Sequence, residues 1–470
     1  MTMWRRLFRF RTRHQPYMVR LSYHYEMRSA ITYPLAASLA EGSFTGVVAA
    51  KYFQASPLLI ALITAAPMFG NIMAMIWAEK ARGRRKVPFV NLLQLGVVGS
   101  IAAVALTAFV PRTVGAWLFA ALIIVVRLLA SGIVTVRAAI WRANYPRHLR
   151  AQITGRITIV STVVLAFATY VGASWLDADP RAFVYLYPIA AVMGAVGIWQ
   201  FSRIRVRSER QALRRETIPH PRPEALSHTD EMNVLNYQPP EQRRGLLDFL
   251  REARDVLRRD RAFREYQWWQ FLSGASFMML NPPLVLLVSK ELTDPHTQYK
   301  LATVVLQIIP MIMSIVATQF WAPLFDRLHI TAFRVFQGIA SVAAQATIFV
   351  GAVLGQLWII AAGQFVLGIS LAGGNLAWNL GHNDFATREQ AATYMGVHVM
   401  LTGLRGCFAP FAGVMLFRLP FIRRGVFGIS VLMCLAALLG FVSMARRMGA
   451  WHKTRHDDAG AAAAPAAQPR

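Results

Sequence analysis

The sequence predicts an all-α polytopic membrane protein in which twelve transmembrane helices form two six-helix bundles. Three observations carry that prediction. The 470 residues are 55% hydrophobic and 16% charged, with a mean hydropathy of +0.39, whereas soluble domains carry about 25% charged residues. Twelve apolar stretches each reach the roughly 20 residues needed to cross a bilayer at about 1.5 Å per residue. A polar, Arg-rich segment divides them into two sets of six. This composition excludes a disordered or coiled-coil chain and argues against an ordinary soluble enzyme. Cys407 and Cys434 both lie in apolar runs, so no disulfide framework is expected.

In chain order, residues 1–28 hold seven Arg and read as a cytoplasmic tail, with the first span acting as its own uncleaved insertion signal. The first bundle, 29–201, has spans at 29–50, 56–78, 88–110, 116–140, 153–176 and 182–201. Residues 202–267 read as a cytoplasmic linker, marked by Pro221, Pro223, Pro239 and Pro240. Within it Leu246, Leu250, Ala253 and Leu257 recur at helical spacing, with Arg251, Arg254, Arg258 and Arg259 on other faces. That pattern predicts a basic amphipathic helix, lying on the membrane surface or solvated. The second bundle, 268–445, has spans at 268–288, 301–325, 333–354, 357–379, 394–417 and 425–445. Residues 446–470 read as a second cytoplasmic tail, ending in a low-complexity Ala/Pro segment.

Orientation follows from the Lys and Arg distribution. With the amino terminus inside, 39 of the 50 basic residues fall in inner segments, counting Arg156 and Arg334 at the inner ends of their spans with the adjoining loops, 8 in outer ones and 3 deeper within spans. The formal net charge of +27 is therefore mostly a topology signal, placing both termini in the cytoplasm. Arg418, Arg423 and Arg424 lie on the outer side against this trend. An inner, cytoplasmic membrane is the expected location.

The halves can be overlaid. Trp77-Ala78 closes the second span twelve residues before Phe89, as Trp321-Ala322 closes the eighth twelve before Phe333. Ser43-Phe44 parallels Ser276-Phe277, and Trp141 parallels Trp378. Two six-helix halves in the same orientation, joined by a long inner linker, are the parallel repeat of a secondary transporter. The loop Glu79-Lys80-Ala81-Arg82-Gly83-Arg84-Arg85-Lys86, its counterpart Asp326-Arg327, and Arg127 with Gly132 in span four add short motifs. On these residues the chain resembles the major facilitator superfamily over nearly its whole length. The resemblance implies two bundles related by a pseudo-twofold axis, a central cavity lined by spans one, four, seven and ten, and gating roles for Glu79, Arg84, Arg85, Asp326 and Arg327. No Asp precedes Gly83, and the Gly-Pro exporter signature is absent from span five; its nearest echo is Gly403, Gly406, Pro410 and Gly413 in span eleven.

Ionisable residues inside spans cost roughly 3 kcal/mol or more at the bilayer centre unless paired or wetted. Glu41, Arg127 and Arg405 all fall about 18–21 Å from the inner ends of their spans at 1.5 Å per residue. Glu41 and Arg127 are expected to pair across the cavity, either as a coupling pair broken by proton or substrate or as a permanent ion pair fixing spans one and four. Arg405 leaves one surplus positive charge, answered either by a substrate carboxylate or phosphate or by cavity water. Arg137, near the inner surface, is expected to snorkel. Asn281-Pro282-Pro283 should break span seven, giving a hinge and substrate contact at Asn281 or a plain kink. Gly373-Gly374-Asn375 and Asn379 allow close helix approach, with Asn375 a candidate contact. His382, Asp384 and Glu389 match no metal-ligand pattern, so a gating or capping role is expected. His398 reads as a helix-interface residue.

No phosphate-binding loop, nucleophile elbow or Cys-x-x-Cys occurs, so neither an enzyme, a cofactor nor a metal is expected. The linker lacks the aromatic interleaving of a nucleic-acid binder. The expected partners are a small-molecule substrate, protons and the lipid bilayer, and the expected state is a monomer. The favoured function is an alternating-access, proton-coupled permease for a small organic, anionic solute; the alternatives are an exporter of amphipathic compounds in the same fold and a non-transporting membrane sensor or scaffold.

Overall fold

The structure is a computed structural model that describes residues 16–217, 246–387 and 390–449. The four linker prolines, Arg388 and Glu389 in the loop between spans ten and eleven, and the Ala/Pro-rich end lie outside the described residues. No strand occurs among those described. Among the described residues, eleven helical stretches are long and apolar enough to cross a membrane.

The chain divides into two compact units, the first comprising residues 1–259 with 296–300, the second residues 260–295 with 301–470. In the first unit the helices are α1 (Tyr17–Ala37), α2 (Gly42–Lys51), α3 (Pro57–Ala81), α4 (Lys86–Val104), α5 (Arg112–Asn144), α6 (Arg147–Ala178) and α7 (Ala182–Phe201). The linker adds α8 (Glu209–Thr217) and α9 (Leu246–Arg259). The second unit holds α10 (Arg261–Leu286), α11 (Tyr299–Thr303), α12 (Ile309–Arg327), α13 (Ile330–Leu354), α14 (Leu357–Leu380), α15 (Ala391–Arg418) and α16 (Gly425–Arg447), with Tyr299 and Lys300 of α11 clustering with the first unit.

Each unit repeats one packing scheme. In the first, α3 packs on α5, α4 on α5 and α7, and α1 on α6 and α7; in the second, α12 packs on α14, α13 on α14 and α16, and α10 on α15 and α16. The same side chain holds one of these pairs in both units. Trp77 Nε1 donates to the Leu128 carbonyl and Trp321 Nε1 to the Ile369 carbonyl, each at 2.8 Å. Glycine makes both approaches possible: a Cβ at Gly132 would lie 2.8 Å from the Trp77 ring, and one at Gly373 2.9 Å from the Trp321 ring. Counting forward from Leu128 and Ile369 sets Arg137, not Trp141, opposite Trp378, so the Trp141–Trp378 match is one helical turn out of register.

Local chemistry sets several helix ends. Ser56 caps α3 through the Leu59 N–H at 3.3 Å, with Pro57 following it. Asp260 caps α10 through the Phe263 N–H at 2.8 Å, and its other oxygen accepts the Tyr394 hydroxyl at 2.9 Å. Asp384 accepts the Ile330 N–H at 2.8 Å, a capping contact for α13.

Two departures from the sequence reading concern the helices that position the charges. The helix leading into the first span starts at Tyr17, inside the expected tail, and the span is itself interrupted. After α1 a 3₁₀ turn, Ser38–Ala40, leads to an extended Glu41 (φ −127°, ψ 151°) and then to Gly42 at φ 64°. A left-handed residue cannot continue an α-helix, and glycine adopts that conformation at least cost. The break expected at Pro282–Pro283 does not occur. Residues Arg261–Leu286 form one α-helix, with a π-helical turn at Leu287–Leu292 beyond it. Pro283 leaves the Met279 carbonyl without its helical donor, and Gly413 of α15 packs directly against that carbonyl where a Cβ would collide. Packing by a neighbouring helix is how a proline-containing span stays helical in a membrane.

Candidate functional site

The interruption in the first unit places a carboxylate where backbone groups are already released. Glu41 is the residue before α2, in extended conformation, and its side chain makes no capping hydrogen bond to that helix, so the carboxylate is left to other partners. Arg127 reaches it from the middle of α5, with Nη1 3.3 Å from Glu41 Oε1. Glu41 keeps 40% of its side-chain exposure and Arg127 19%, so the pair is accessible rather than sealed in packing. The Nε of Arg127 is buried without a hydrogen-bond partner, which leaves the guanidinium spare donor capacity. Tyr33 of α1 lies within electrostatic range of Glu41, Arg127 and Arg137. A carboxylate and a guanidinium in this relation can exchange a proton-dependent ion pair for an interaction with a bound anion.

Arg137 is not a snorkelling side chain. Its Nε donates to Glu26 Oε1 at 2.7 Å, and the same oxygen accepts Trp141 Nε1 at 2.5 Å. The other oxygen accepts the Tyr145 hydroxyl at 2.6 Å. Glu26 is 1% exposed, and the Arg137 guanidinium stacks 5.1 Å from the Trp141 ring and 5.9 Å from Phe201. Burial and the Glu26 carboxylate together push the Tyr145 hydroxyl above its ordinary value. Next to this centre Asn144 donates to Ser22 Oγ and to the Arg205 carbonyl, both at 2.9 Å, and accepts the Arg207 N–H at 2.9 Å. The first helix, the fourth span and the start of the linker are thus tied at one end of the first unit. Glu26 escapes a hydropathy reading because it precedes the first apolar run, within the expected tail.

Opposite the Glu41 break in sequence terms, the far end of the first unit holds a second buried charge. Lys51 is 1% exposed, donates to the Thr297 carbonyl at 2.8 Å and lies 5.9 Å from the Tyr299 ring centre. Asp177 accepts the N–H groups of Tyr299 and Lys300 at 2.5 and 2.9 Å.

In the second unit Arg405 is buried within the unit. Its Nη1 donates to the Gln270 carbonyl at 2.7 Å, and the guanidinium crosses α10 over Gly274, where a Cβ would collide with it. Asn281 is half-buried inside the unbroken α10, while Asn375 is exposed and its carbonyl accepts Asn379 Nδ2 at 2.7 Å. His398 is buried and contacts Gln267 Oε1 through Nδ1 at 3.1 Å, the interface position expected of it. Arg423 and Arg424, which the charge count sets against the trend, both pair with Glu291, at 3.2 and 3.0 Å.

The loop motifs are arranged differently in the two halves. Glu79 is 3.9 Å from Arg82, Arg84 lies over the Phe89 ring at 5.8 Å, and Arg85 reaches Glu209 of α8 at 3.3 Å. Asp326 and Arg327 are exposed at the end of α12. Among the described residues no group of His, Cys, Asp and Glu could hold a metal ion.

Comparison with known proteins adds a family and a fold. A family model described as Major Facilitator Superfamily matches residues 30–410. Among solved structures, a mutant peptide transporter POT in complex with alafosfalin aligns with a TM-score of 0.64 at 14% identity, covering 93% of this chain and 96% of that one. A mutant of the nucleoside transporter NupG aligns at 0.63 and 14% identity, covering 90% and 99%. The inward open xylose transporter XylE from E. coli aligns at 0.56 and 11% identity, covering 89% and 95%. No curated protein matches the chain by sequence.

Proposed function

The chain belongs to the Major Facilitator Superfamily, and from that premise we propose that it is a proton-coupled secondary transporter of a small organic solute, working by alternating access. The observation that carries the proposal is the Glu41–Arg127 ion pair at the interruption of the first transmembrane segment. Ionisable residues at mid-span are costly, and where they occur they commonly mark a binding or coupling step. The interruption also frees backbone donors and acceptors, which a membrane protein tolerates where they line a cavity or are buried in protein.

In the cycle proposed here, the proton adds to a carboxylate oxygen of Glu41. That neutralises the acid and releases the Arg127 guanidinium, which can then hold an anionic group of the solute through two hydrogen bonds. Loss of the proton restores the carboxylate, which competes the solute away from Arg127. Binding of solute and proton is therefore linked through one arginine, and the linkage is reciprocal. Structurally similar transporters carry xylose with protons, nucleosides and peptides in their descriptions, and one is complexed with 5-aminolevulinic acid, so solutes of that size supply the first probes.

Purified protein in proteoliposomes, loaded with an imposed pH gradient, tests this with labelled xylose, a nucleoside and 5-aminolevulinic acid. The expected result is gradient-driven accumulation of at least one probe, strongest for an anionic or zwitterionic one. Glu41→Gln should abolish accumulation against a gradient while leaving slow, pH-independent exchange. Unaltered rate and pH dependence in both Glu41→Gln and Glu41→Ala would remove the coupling role. Accumulation that depends on no proton gradient in the wild type would remove proton coupling altogether.

A further inference from the structure

The opening turns of α1 carry a row of basic side chains that the protein itself leaves unanswered. Arg20, His24 and Arg28 recur at a spacing of four, so they lie on one face of the helix, and all three are exposed. None of them pairs with a carboxylate among the described residues. The one acid in these turns, Glu26, is committed to Arg137, Trp141 and Tyr145. Residues 1–16 hold five Arg and no acid, so the chain that precedes the row adds to its charge. The same row borders a cavity of about 460 Å³, with Tyr17 at one end and Leu21 and Met27 as apolar lining. Met27 packs in turn on the buried cluster that joins Val19 to Ile153 and Ile157 of α6, so the fold fixes the lining.

Two neighbouring contacts fix the depth of this cavity. Asn144, the last residue of α5, donates to Ser22 Oγ at 2.9 Å. Arg203, just past the end of α7, stacks 3.9 Å from the Trp199 ring and 5.7 Å from the Tyr25 ring. Ser22 and Tyr25 therefore stand level with the points where two other spans end, and an exposed Trp beside an Arg is the composition of a membrane interface. Arg20 to Arg28 covers about 12 Å at 1.5 Å per residue, against a headgroup layer of about 5–8 Å on each side of the hydrocarbon. Long arginine side chains make up the difference by snorkelling. One turn beyond Arg28 the same face continues as Ile31, which is exposed. A face that is basic at headgroup depth and apolar just below it matches a lipid, phosphate at one end and acyl chain at the other, whereas a soluble anion would leave the apolar part unused. We propose that this face binds one anionic phospholipid from the surrounding leaflet. Its phosphate sits over His24 between the Arg20 and Arg28 guanidinium groups, held by charge-assisted hydrogen bonds, and its acyl chain lies along Leu21, Met27 and Ile31.

The test titrates the full-length protein in a neutral detergent with phosphatidylglycerol, with phosphatidylcholine of the same acyl chains, and with soluble glycerol phosphate, counting bound molecules by native mass spectrometry. One phosphatidylglycerol should be retained in preference to phosphatidylcholine. Arg20→Gln combined with Arg28→Gln should weaken that retention by about thirtyfold, as the loss of two basic residues at a membrane surface implies. Arg258→Gln combined with Arg259→Gln removes the same charge from exposed positions of α9 and should leave it unchanged. Leu21→Trp fills the cavity while keeping its charge and should weaken retention as well, which decides the matter if the double arginine variant does not fold. Equal retention of the two lipids, an equal loss in the α9 variant, unchanged retention in the cavity variants, or glycerol phosphate binding as tightly as the lipid would each overturn the proposal. The readout involves no transport, so its failure leaves the coupling role of Glu41 untouched, and the reverse holds as well.

Discussion

Glu26 shows how much one carboxylate can organise. Three donors from α5 and the residue following it converge on its two oxygens, and the Arg137 charge is matched on the spot. Deleting one member of a buried pair strands the other, at a cost of about 3–5 kcal/mol, and each orphaned polar donor adds about 1–3 kcal/mol. Arg137 retains partial exposure, so the lower end of the first range applies. Glu26→Gln should therefore destabilise the protein by about 3 kcal/mol, read from denaturant unfolding in detergent. Adding Arg137→Gln should cost less than the sum of the two single changes, because contacting residues couple. Additive losses would show that the two side chains act independently. None of this is written in the local sequence: Glu26 sits among Tyr25, Met27 and Arg28 before any apolar run, and only the packing of α1 on α5 and α6 draws it inside.

Breaks and caps at the level of the element follow backbone chemistry more closely than proline content. The segment Ser38-Leu39-Ala40-Glu41-Gly42 interrupts the first span because Gly42 takes a left-handed conformation, a signal available in the sequence but weaker to the eye than a Pro-Pro pair. The prolines of α10 end nothing, since α15 closes over the carbonyl that Pro283 leaves unpaired. The docking of residues 296–300 onto the first unit has a comparable local cause. Asp177, next to the end of α6, accepts two successive N–H groups at the start of α11, where an anion is favoured by the orphan donors of a helix start. Asp177→Ala should release that turn. Backbone amide exchange at Tyr299 and Lys300 should quicken by about tenfold or more, as loss of a capping bond worth about 1–2 kcal/mol implies. Unchanged exchange would mean that Lys51 and Thr297 hold the segment alone.

The whole molecule is an integral multi-pass membrane protein of the superfamily fold, and its charge distribution carries a topology proposal with both termini in the cytoplasm. A fluorescent protein that matures only in the cytoplasm, fused after Arg470, should therefore be bright, and one fused in the 418–424 loop should be dark; the reverse pattern would invert the assignment. What the sequence by itself determined is what the bilayer imposes. Each span must be long and apolar, and a charge at mid-span must have a reason, so the twelve spans, the repeat and the Glu41–Arg127 pair were legible one segment at a time. The tertiary structure alone decided which charges are paired. Arg137 acquired Glu26 from beyond the apolar run, Arg423 and Arg424 acquired Glu291, and Arg405 acquired the Gln270 carbonyl within its own unit. The physical reason is that hydropathy reports the cost of leaving water, which each residue carries with it, whereas the compensation for that cost depends on which helix faces which. That is set by small residues such as Gly132, Gly274, Gly373 and Gly413, whose contacts exist only once the helices have packed.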